Sequence, residues 1–246
     1  MTIYALIPAR GGSKRLPNKN IELLLGKPLI YFSLDIALAQ VFFEKVVVST
    51  DSHIIIDYLY EYDDERIEVL IRPTDLATDT ATMNSVIEHF IGTYNLAQDD
   101  VIVVMYPTSP FRNYVADAVK YFLKNNGKSL QTVTKLQSKP FGGLTKRWIE
   151  SSGRYIFEPT IPEWTKYYRG QEGPELYKAT GGLYIIRASQ LPNLNNQLFN
   201  IETIGWELDE NSLDVVDIDT QIDLEIAEFL AKKRGIKDQT IRGYFV

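Results

Sequence analysis

The sequence predicts an α/β fold: a mostly parallel sheet with helices on both of its faces. Three observations carry that prediction. Short apolar runs, each the length of one strand, recur along the chain; segments with helical spacing lie between them; and polar motifs follow the runs directly. Near-continuous apolar strands suit burial on both faces, and strands alternating with helices assemble into parallel βαβ units. Ligands bind such sheets at the carboxyl ends of the strands, so the chemistry is expected just after each run.

Ile3 to Pro8 is the first strand, stopped by Pro8 and the Gly11-Gly12 pair. Lys45 to Ser49, Glu68 to Ile71 and Val101 to Tyr106 repeat its pattern. Helical spacing marks Pro28 to Ala39, Ser52 to Tyr60, Met83 to Tyr94 and Val115 to Leu123. After Leu130 to Thr134 the alternation stops, and Ser138 to Lys178 is irregular and rich in Gly, Pro and aromatics. A structureless loop of that length does not suit a compact domain. Residues 138–178 are therefore read as an inserted arm with its own strands, within one domain spanning 1–246. Its aromatics, Phe141, Trp148, Tyr155, Phe157, Trp164, Tyr167 and Tyr168, suit an interface, so a homodimer is expected. The parallel pattern is expected to resume at Gly182 to Ile186 and Asp214 to Asp219, and Gln221 to Lys233 closes the fold as an amphipathic helix. The tail from Gly235 to Val246 is assigned no function, and there is no internal repeat.

Composition narrows the chemistry. The 246 residues carry 26 Lys and Arg against 32 Asp and Glu, a formal net charge of −6, which gives no global attraction to nucleic acid or an anionic membrane. There is no cysteine, which excludes thiol nucleophiles, thiolate metal sites and disulfides. The two histidines, His53 and His89, are too few for a poly-histidine zinc centre; they read as a helix-start and a mid-helix residue. No apolar run approaches the ~20 residues of a membrane helix, and the N-terminus lacks a secretory pattern, so a soluble, cytoplasmic protein is expected.

The first strand runs straight into Ala9-Arg10-Gly11-Gly12-Ser13-Lys14-Arg15-Leu16-Pro17-Asn18-Lys19-Asn20. Paired glycines let backbone N–H groups approach an anion, and Arg10, Lys14, Arg15 and Lys19 can neutralise phosphate oxygens. The spacing is neither a Walker loop nor a Gly-x-Gly-x-x-Gly turn. A solvated basic turn is the plain alternative. Four cations so close together in an acidic protein favour a phosphate cradle.

The stretch IPARGGSKRLPNKN resembles the signature of the acylneuraminate cytidylyltransferases, which make CMP-sugars from CTP. Arg72-Pro73-Thr74-Asp75-Leu76-Ala77-Thr78-Asp79-Thr80-Ala81, Pro107-Thr108-Ser109-Pro110-Phe111-Arg112 and Asp217-Ile218-Asp219-Thr220 resemble three further motifs of that family, in family order. The resemblance implies a Rossmann-like, nucleotide-diphospho-sugar transferase-like fold. It also implies transfer of CMP from CTP to the anomeric hydroxyl of an acidic 2-keto sugar, with release of pyrophosphate.

It further implies roles. Ala9, Gly11, Gly12, Ser13, Lys19, Asn20, Asp79 and Thr80 would contact the nucleotide, with Arg10 and Lys14 neutralising the triphosphate and acting in catalysis. Arg72 would lie near the cytosine, the alternative being a surface arginine capping a strand end. Asp217 and Asp219 alternate on an expected strand, so both carboxylates would face one side and hold Mg²⁺, with Mn²⁺ as an alternative. Asp209, Asp214 and Asp223 crowd the same stretch, so a plain acidic surface is the competing reading. Tyr106, Thr108, Ser109, Arg169, Gln171, Thr180 and Tyr184 would form the sugar side. No histidine or cysteine base falls in any motif. Thr108 and Ser109 read as hydrogen-bonding loop residues rather than nucleophiles.

The sugar side departs from the sialic acid pattern. Tyr106 stands where a glutamine is common, Gly170 where an arginine meets the sugar carboxylate, Thr180 where an asparagine contacts the sugar, and Gly142 where a lysine is expected. Arg169, Lys139 or Lys146 could supply the missing cation. Such losses change specificity rather than abolish chemistry. The expected acceptor is thus a nonulosonate other than N-acetylneuraminate, with a shorter ulosonic acid, a phosphonate or a sugar 1-phosphate as alternatives. A nucleotide-binding module without turnover is the non-catalytic alternative.

Overall fold

The computed structural model describes residues 1–60, 64–136, 144–149, 154–159 and 175–237, the two short central segments by their backbone alone. Strand β1 (Ile3–Pro8) leads through the first loop to two-residue strands β2 (Leu23–Leu24) and β3 (Lys27–Pro28), then helix α1 (Leu29–Leu38). β4 (Lys45–Thr50), α2 (His53–Leu59), β5 (Ile67–Ile71), α3 (Met83–Tyr94), β6 (Val101–Val104) and α4 (Val115–Lys124) follow. The second half contains β7 (Ser129–Lys135), β8 (Leu144–Ile149), β9 (Arg154–Pro159), β10 (Tyr177–Arg187), β11 (Ile204–Leu208) and α5 (Gln221–Lys233).

Seven strands form one sheet in the order β11-β7-β10-β6-β1-β4-β5. β1 pairs in parallel with β4 and β6, β4 with β5, and β7 with β11. The alternation of side chains along β1 explains its two-sided burial. Ala5 and Ile7 pack on one face with Ile30 and Leu34 of α1 and Val119 and Phe122 of α4. Leu6 packs on the other face with Val47, Ile102 and the α3 residues Ile87 and Phe90. A third cluster joins Leu16 of the first loop to Leu24, Leu29, Ile218 and the α5 residues Leu224 and Ala227. That cluster anchors both the loop and the acidic segment before α5. None of the helices among the described residues is long and apolar enough to cross a membrane.

Two expectations are corrected. Gly182 to Ile186 is indeed in a strand, but β10 runs antiparallel to both neighbours, β6 and β7. An apolar run carries no information about direction, and here β7 and β10 return on each other as the stem of a long connection. Asp214 to Asp219 is not a strand. Leu213–Val215 is a 3-10 turn capped by Ser212, whose hydroxyl accepts from Asp214 N, and Val216 then extends the chain. Ile218 N donates to Thr108 O at 2.8 Å, which docks the segment without a ladder. β11, a half-buried edge strand, is an additional element.

β8 and β9 pair with each other in a separate antiparallel sheet. They fall inside the expected 138–178 arm, whose last two residues, Tyr177 and Lys178, belong to β10. Phe141, Trp164, Tyr167 and Tyr168 lie outside the described residues, as does the tail beyond residue 237.

Candidate active site

The strand ends at one edge of the sheet deliver the predicted motifs to one cavity of about 550 Å³. Arg10, Ser13, Lys14, Lys19 and Asn20 line it from the first loop, and Arg72 and Asp79 from the segment after β5. Tyr106 and Thr108 enter from the loop after β6, Tyr184 from β10, and Asp217 and Asp219 from the segment before α5.

The first loop follows the pairing of β1 with β4: Ala9 N donates to Ser49 O at 2.9 Å, and Gly11 N to Asp51 Oδ1 at 2.9 Å. A Cβ on Gly11 would stand 2.9 Å from the Cβ of Ser52, whose hydroxyl caps α2, so only glycine fits there. Gly12 has open space around it. Asn20 folds the loop back by donating from Nδ2 to Arg10 O at 2.9 Å. Ala9, Gly11 and Gly12 shape the loop without lining the cavity.

Every cation of this loop has an acidic partner. Arg10 lies 3.1 Å from Asp79 and Lys14 pairs with the same carboxylate, while Arg10 also donates to Thr78 O at 3.0 Å. Arg15 and Lys19 hold the two oxygens of Asp219 at 2.8 Å and 2.7 Å. The Lys14 hydrogen bond, with the Arg10 charge, holds the Asp79 carboxyl below its ordinary value. Burial pushes Asp219 up, but Lys19 and Arg15 outweigh it and leave the carboxyl low. Asp217 differs: its side chain is open to the cavity and forms no ion pair among the described residues, and desolvation by the surrounding walls, aided by the Asp219 charge, pushes its carboxyl up against a Thr108 hydrogen bond.

The acidic crowd of the sequence therefore separates into two groups. Asp214 caps a turn with Ser212, Asp209 Oδ1 accepts from Asn211 N, and Asp223 closes the capping box of α5 with Thr220. Asp223 also accepts from Asp219 N at 3.1 Å, fixing the backbone beneath the site carboxylate. Asp217 and Asp219 are the two that line the cavity, on either side of the fully buried Ile218. Alternation does set their direction, as expected, but around a buried anchor rather than within a sheet.

Arg72 is buried, not a surface cap. Its backbone N donates to Thr50 O, Nε to Ser49 Oγ at 3.1 Å, and Nη2 to Ser49 O at 2.8 Å. Among the described residues Nη1 has no hydrogen-bond partner, so a donor is left on a side chain that lines the cavity. Burial draws this guanidinium below its ordinary value, opposed by Asp51.

On the opposite side the rings of Tyr106 and Tyr184 meet edge to face, 5.8 Å apart at 73°. Burial raises both phenols, so both are neutral donors. β10 is bulged here: its register shifts between Ala179 and Tyr184, with Gly181 at a φ of +73°. Thr180 supports the bulge rather than the cavity, its hydroxyl 2.6 Å from that of Thr132. Ser109 is buried with an unpartnered hydroxyl, and Thr80 is exposed beside Thr78; neither lines the cavity. Arg169 and Gln171 lie outside the described residues.

Leu16, Met83, Gly181 and Pro107 also line the cavity and were absent from the expected site; so was Arg15, noticed only for its charge. Met83 was legible as the first residue after the Thr82 helix cap, and Gly181 as one of a glycine pair inside a strand. His53 starts α2, as expected, and His89 sits half-buried on α3 away from the cavity lining.

Known proteins resemble this chain over nearly its whole length. The CMP-N,N'-diacetyllegionaminic acid synthase of Legionella pneumophila is 36% identical over 236 residues, which cover 94% of this chain and 96% of that one. The N-acylneuraminate cytidylyltransferase of Escherichia coli is 30% identical across 95% of this chain, but this chain spans 53% of its length. A CTP complex of CMP:2-keto-3-deoxy-manno-octonic acid synthetase shares the fold, with a TM-score of 0.67 at 17% identity over 95% of this chain and all of that one. The cytidylyltransferase family profile matches residues 4–240, nearly the whole sequence, and the chain belongs to that family of CTP-dependent nucleotidyltransferases.

Proposed function

We propose that this chain transfers CMP from CTP to the anomeric hydroxyl of a nonulosonate, an acidic 2-keto sugar, and releases pyrophosphate. One observation carries the reading: a single cavity holds a cation-rich loop, a buried arginine with a free donor, an aspartate pair and an aromatic wall. Arg10, Lys14, Arg15 and Lys19 neutralise the triphosphate, and their fixed charge favours the transition state, in which charge grows on the departing pyrophosphate. Nη1 of Arg72 donates to an acceptor on the cytosine edge. The neutral phenols of Tyr106 and Tyr184 face the acceptor sugar. The relative from Legionella pneumophila, named for a legionaminic acid derivative, exceeds the N-acylneuraminate enzyme in identity, which favours a nonulosonate other than N-acetylneuraminate.

Asp217 and Asp219 fit Mg²⁺, or Mn²⁺ in its place. Mg²⁺ takes one or two carboxylates and otherwise water and phosphate oxygens, and Asp217 is a carboxylate open to the cavity, without a cationic partner among the described residues. When bound, the ion supplies charge neutralisation at the phosphates and a lowered pKa for the attacking hydroxyl. Lys19 and Arg15 keep Asp219 ionised in its absence.

The working protein is further proposed to be a cytoplasmic homodimer, with part of 138–178 lying against the neighbouring copy. CTP is a cytoplasmic nucleotide, and the stem of this insertion leaves the sheet beside the cavity. Light scattering at micromolar concentration should give twice the chain mass; a monomer removes the dimer.

The deciding experiment measures pyrophosphate release from CTP and Mg²⁺ with N,N'-diacetyllegionaminate, N-acetylneuraminate and eight-carbon ulosonic acids. Release with a nonulosonate, and failure of UTP, ATP and GTP to replace CTP, is expected. Turnover confined to a sugar 1-phosphate, or to another nucleotide, overturns the reading.

A further inference from the structure

Arg112 lies beneath the cavity rather than in its wall. It is 3% exposed, and among the described residues no carboxylate pairs with it. Its nitrogens instead donate to three neutral oxygens on three different elements. Nε reaches Gly182 O in the β10 bulge at 2.6 Å, Nη1 reaches Ser33 Oγ on α1 at 3.1 Å, and Nη2 reaches Tyr106 O after β6. Burial lowers the guanidinium to about 10, opposed by the charges of Tyr114 and Asp217. Burying a cation without a counter-ion is costly. What a guanidinium supplies in return is geometric: a rigid planar fork whose donors, spread over three nitrogens, reach three well-separated acceptors, whereas an ammonium's three donors all leave from one atom and an amide has only two.

The two backbone oxygens it holds govern one half of the cavity. Tyr106 carries the ring that lines the wall. Gly182 belongs to the bulge in which Leu183 N donates to Thr132 Oγ1 at 3.1 Å and Thr180 packs against the same hydroxyl. Gly181, next in the bulge, stands so close to the carboxylates that a Cβ on it would lie 3.7 Å from Asp217 Oδ2. Tyr184 follows the bulge and meets Tyr106. The nucleotide half, built on β1, β4 and the segment after β5, makes no hydrogen bond to Arg112.

We infer that Arg112 is a positioning residue for the acceptor: its fork locks the β10 bulge to the loop after β6, and so fixes the spacing of Tyr106, Gly181 and Tyr184. The inference rests on the proposed function in taking this half as the acceptor side. Arg112 touches no substrate itself.

The test compares Arg112→Lys with Ser33→Ala, in the whole chain. Arg112→Lys keeps the charge and loses the fork; it should raise the KM for N,N'-diacetyllegionaminate by about tenfold or more while the KM for CTP stays within about twofold. Amides of residues 180–184 should exchange hydrogen faster, and those of residues 9–20 at the wild-type rate. Ser33→Ala removes the one acceptor facing α1 and should move neither KM. An unchanged acceptor KM, an equal rise in both KM values, or the same acceptor effect from Ser33→Ala overturns the inference.

A second route reaches the bulge without altering Arg112. A Cβ on Gly182 would stand 2.6 Å from the Tyr114 hydroxyl, so Gly182→Ala should raise the acceptor KM and Tyr114→Phe in the same chain should restore it. Failure of both effects counts against the inference even if Arg112→Lys does not fold. If the wild-type protein releases no pyrophosphate with this acceptor, the acceptor assignment fails. The exchange measurement still decides the rest, because wild-type exchange at 180–184 in Arg112→Lys removes the positioning role.

Discussion

Lys19 Nζ donates to Asp219 Oδ1 at 2.7 Å, joining the first loop to the segment before the last helix across 200 residues of chain. The contact ties the triphosphate side of the cavity to the carboxylate pair, so the two cannot vary independently.

Asp219→Asn tests that tie. The amide keeps the shape and the bond to Asp223 from the backbone, but it loses the charge that Lys19 and Arg15 pair with. Turnover should fall by about tenfold or more, a loss of ~1.4 kcal/mol in transition-state stabilisation, with the far-UV spectrum unchanged. Wild-type pyrophosphate release at saturating Mg²⁺ would remove Asp219 from the reaction.

Asp217→Asn should separate stability from function. Desolvation by the cavity walls raises this carboxyl, so its protonated form favours folding and that contribution is lost as pH rises through the raised value. At neutral pH the ionised group therefore costs stability. Because the side chain is open to solvent, the effect is about 0.5 kcal/mol, so the variant should melt roughly 1–2 °C higher without ligand and turn over more slowly. A lower melting temperature would contradict the desolvation argument.

The two glycines of the first loop should differ. Gly11→Ala forces a methyl against Ser52 and should lower kcat/KM for CTP by about tenfold, whereas Gly12→Ala meets nothing and should behave as wild type. Steady-state kinetics at saturating acceptor would reveal a reversal or an equal effect.

Tyr106→Gln should move the acceptor preference. The ring packs on Tyr184, and the proposed sugar side meets one neutral phenol hydroxyl of this residue. Replacing its single hydroxyl with an amide's two donors and one acceptor should raise kcat/KM for N-acetylneuraminate relative to N,N'-diacetyllegionaminate by about tenfold. A constant ratio between the two substrates would take Tyr106 out of acceptor selection.

Stability in acid should depend on Glu68. Its hydrogen bond from Lys45 across β4 and β5 holds the carboxyl below its ordinary value. The contribution is thus present above the unfolded value of ~4.3 and lost as pH falls through the depressed one. For a pair this exposed it is about 0.5 kcal/mol, so Glu68→Gln should melt roughly 1–2 °C lower at pH 7 and match wild type in strong acid. An equal difference at both pH values would mean that packing, not charge, is responsible.

What could be read from the sequence follows from which interactions are local. Val46, Val47 and Val48 announce a strand buried on both faces because burial imposes the same residues wherever it occurs. The four cations of the first loop were legible as a cluster, but their partners, Asp79 and Asp219, are set by folding and lie far off in the chain. The direction of β10 was hidden, since Leu183, Ile185 and Ile186 would suit either orientation. Asp217 and Asp219 stood out as a pair, yet the anchor between them is one bond from Ile218 to Thr108, which no alternation pattern reveals. Arg112 looked like the end of a motif; its three acceptors come from α1, the loop after β6 and β10.

The connection between β7 and β10 starts and ends at one point. Leu136 N donates to Leu176 O at 2.8 Å, and Lys135 pairs with Tyr177 directly below. A loop whose ends are fastened by the sheet has already met its closure entropy, and that cost grows only slowly with length. The span from 137 to 175 is therefore a cassette: its sequence and size can be exchanged for those of a relative while the stem keeps its register. Because Tyr106, Gly181 and Tyr184 all lie outside that span, such an exchange would leave the cavity lining and its acceptor side in place.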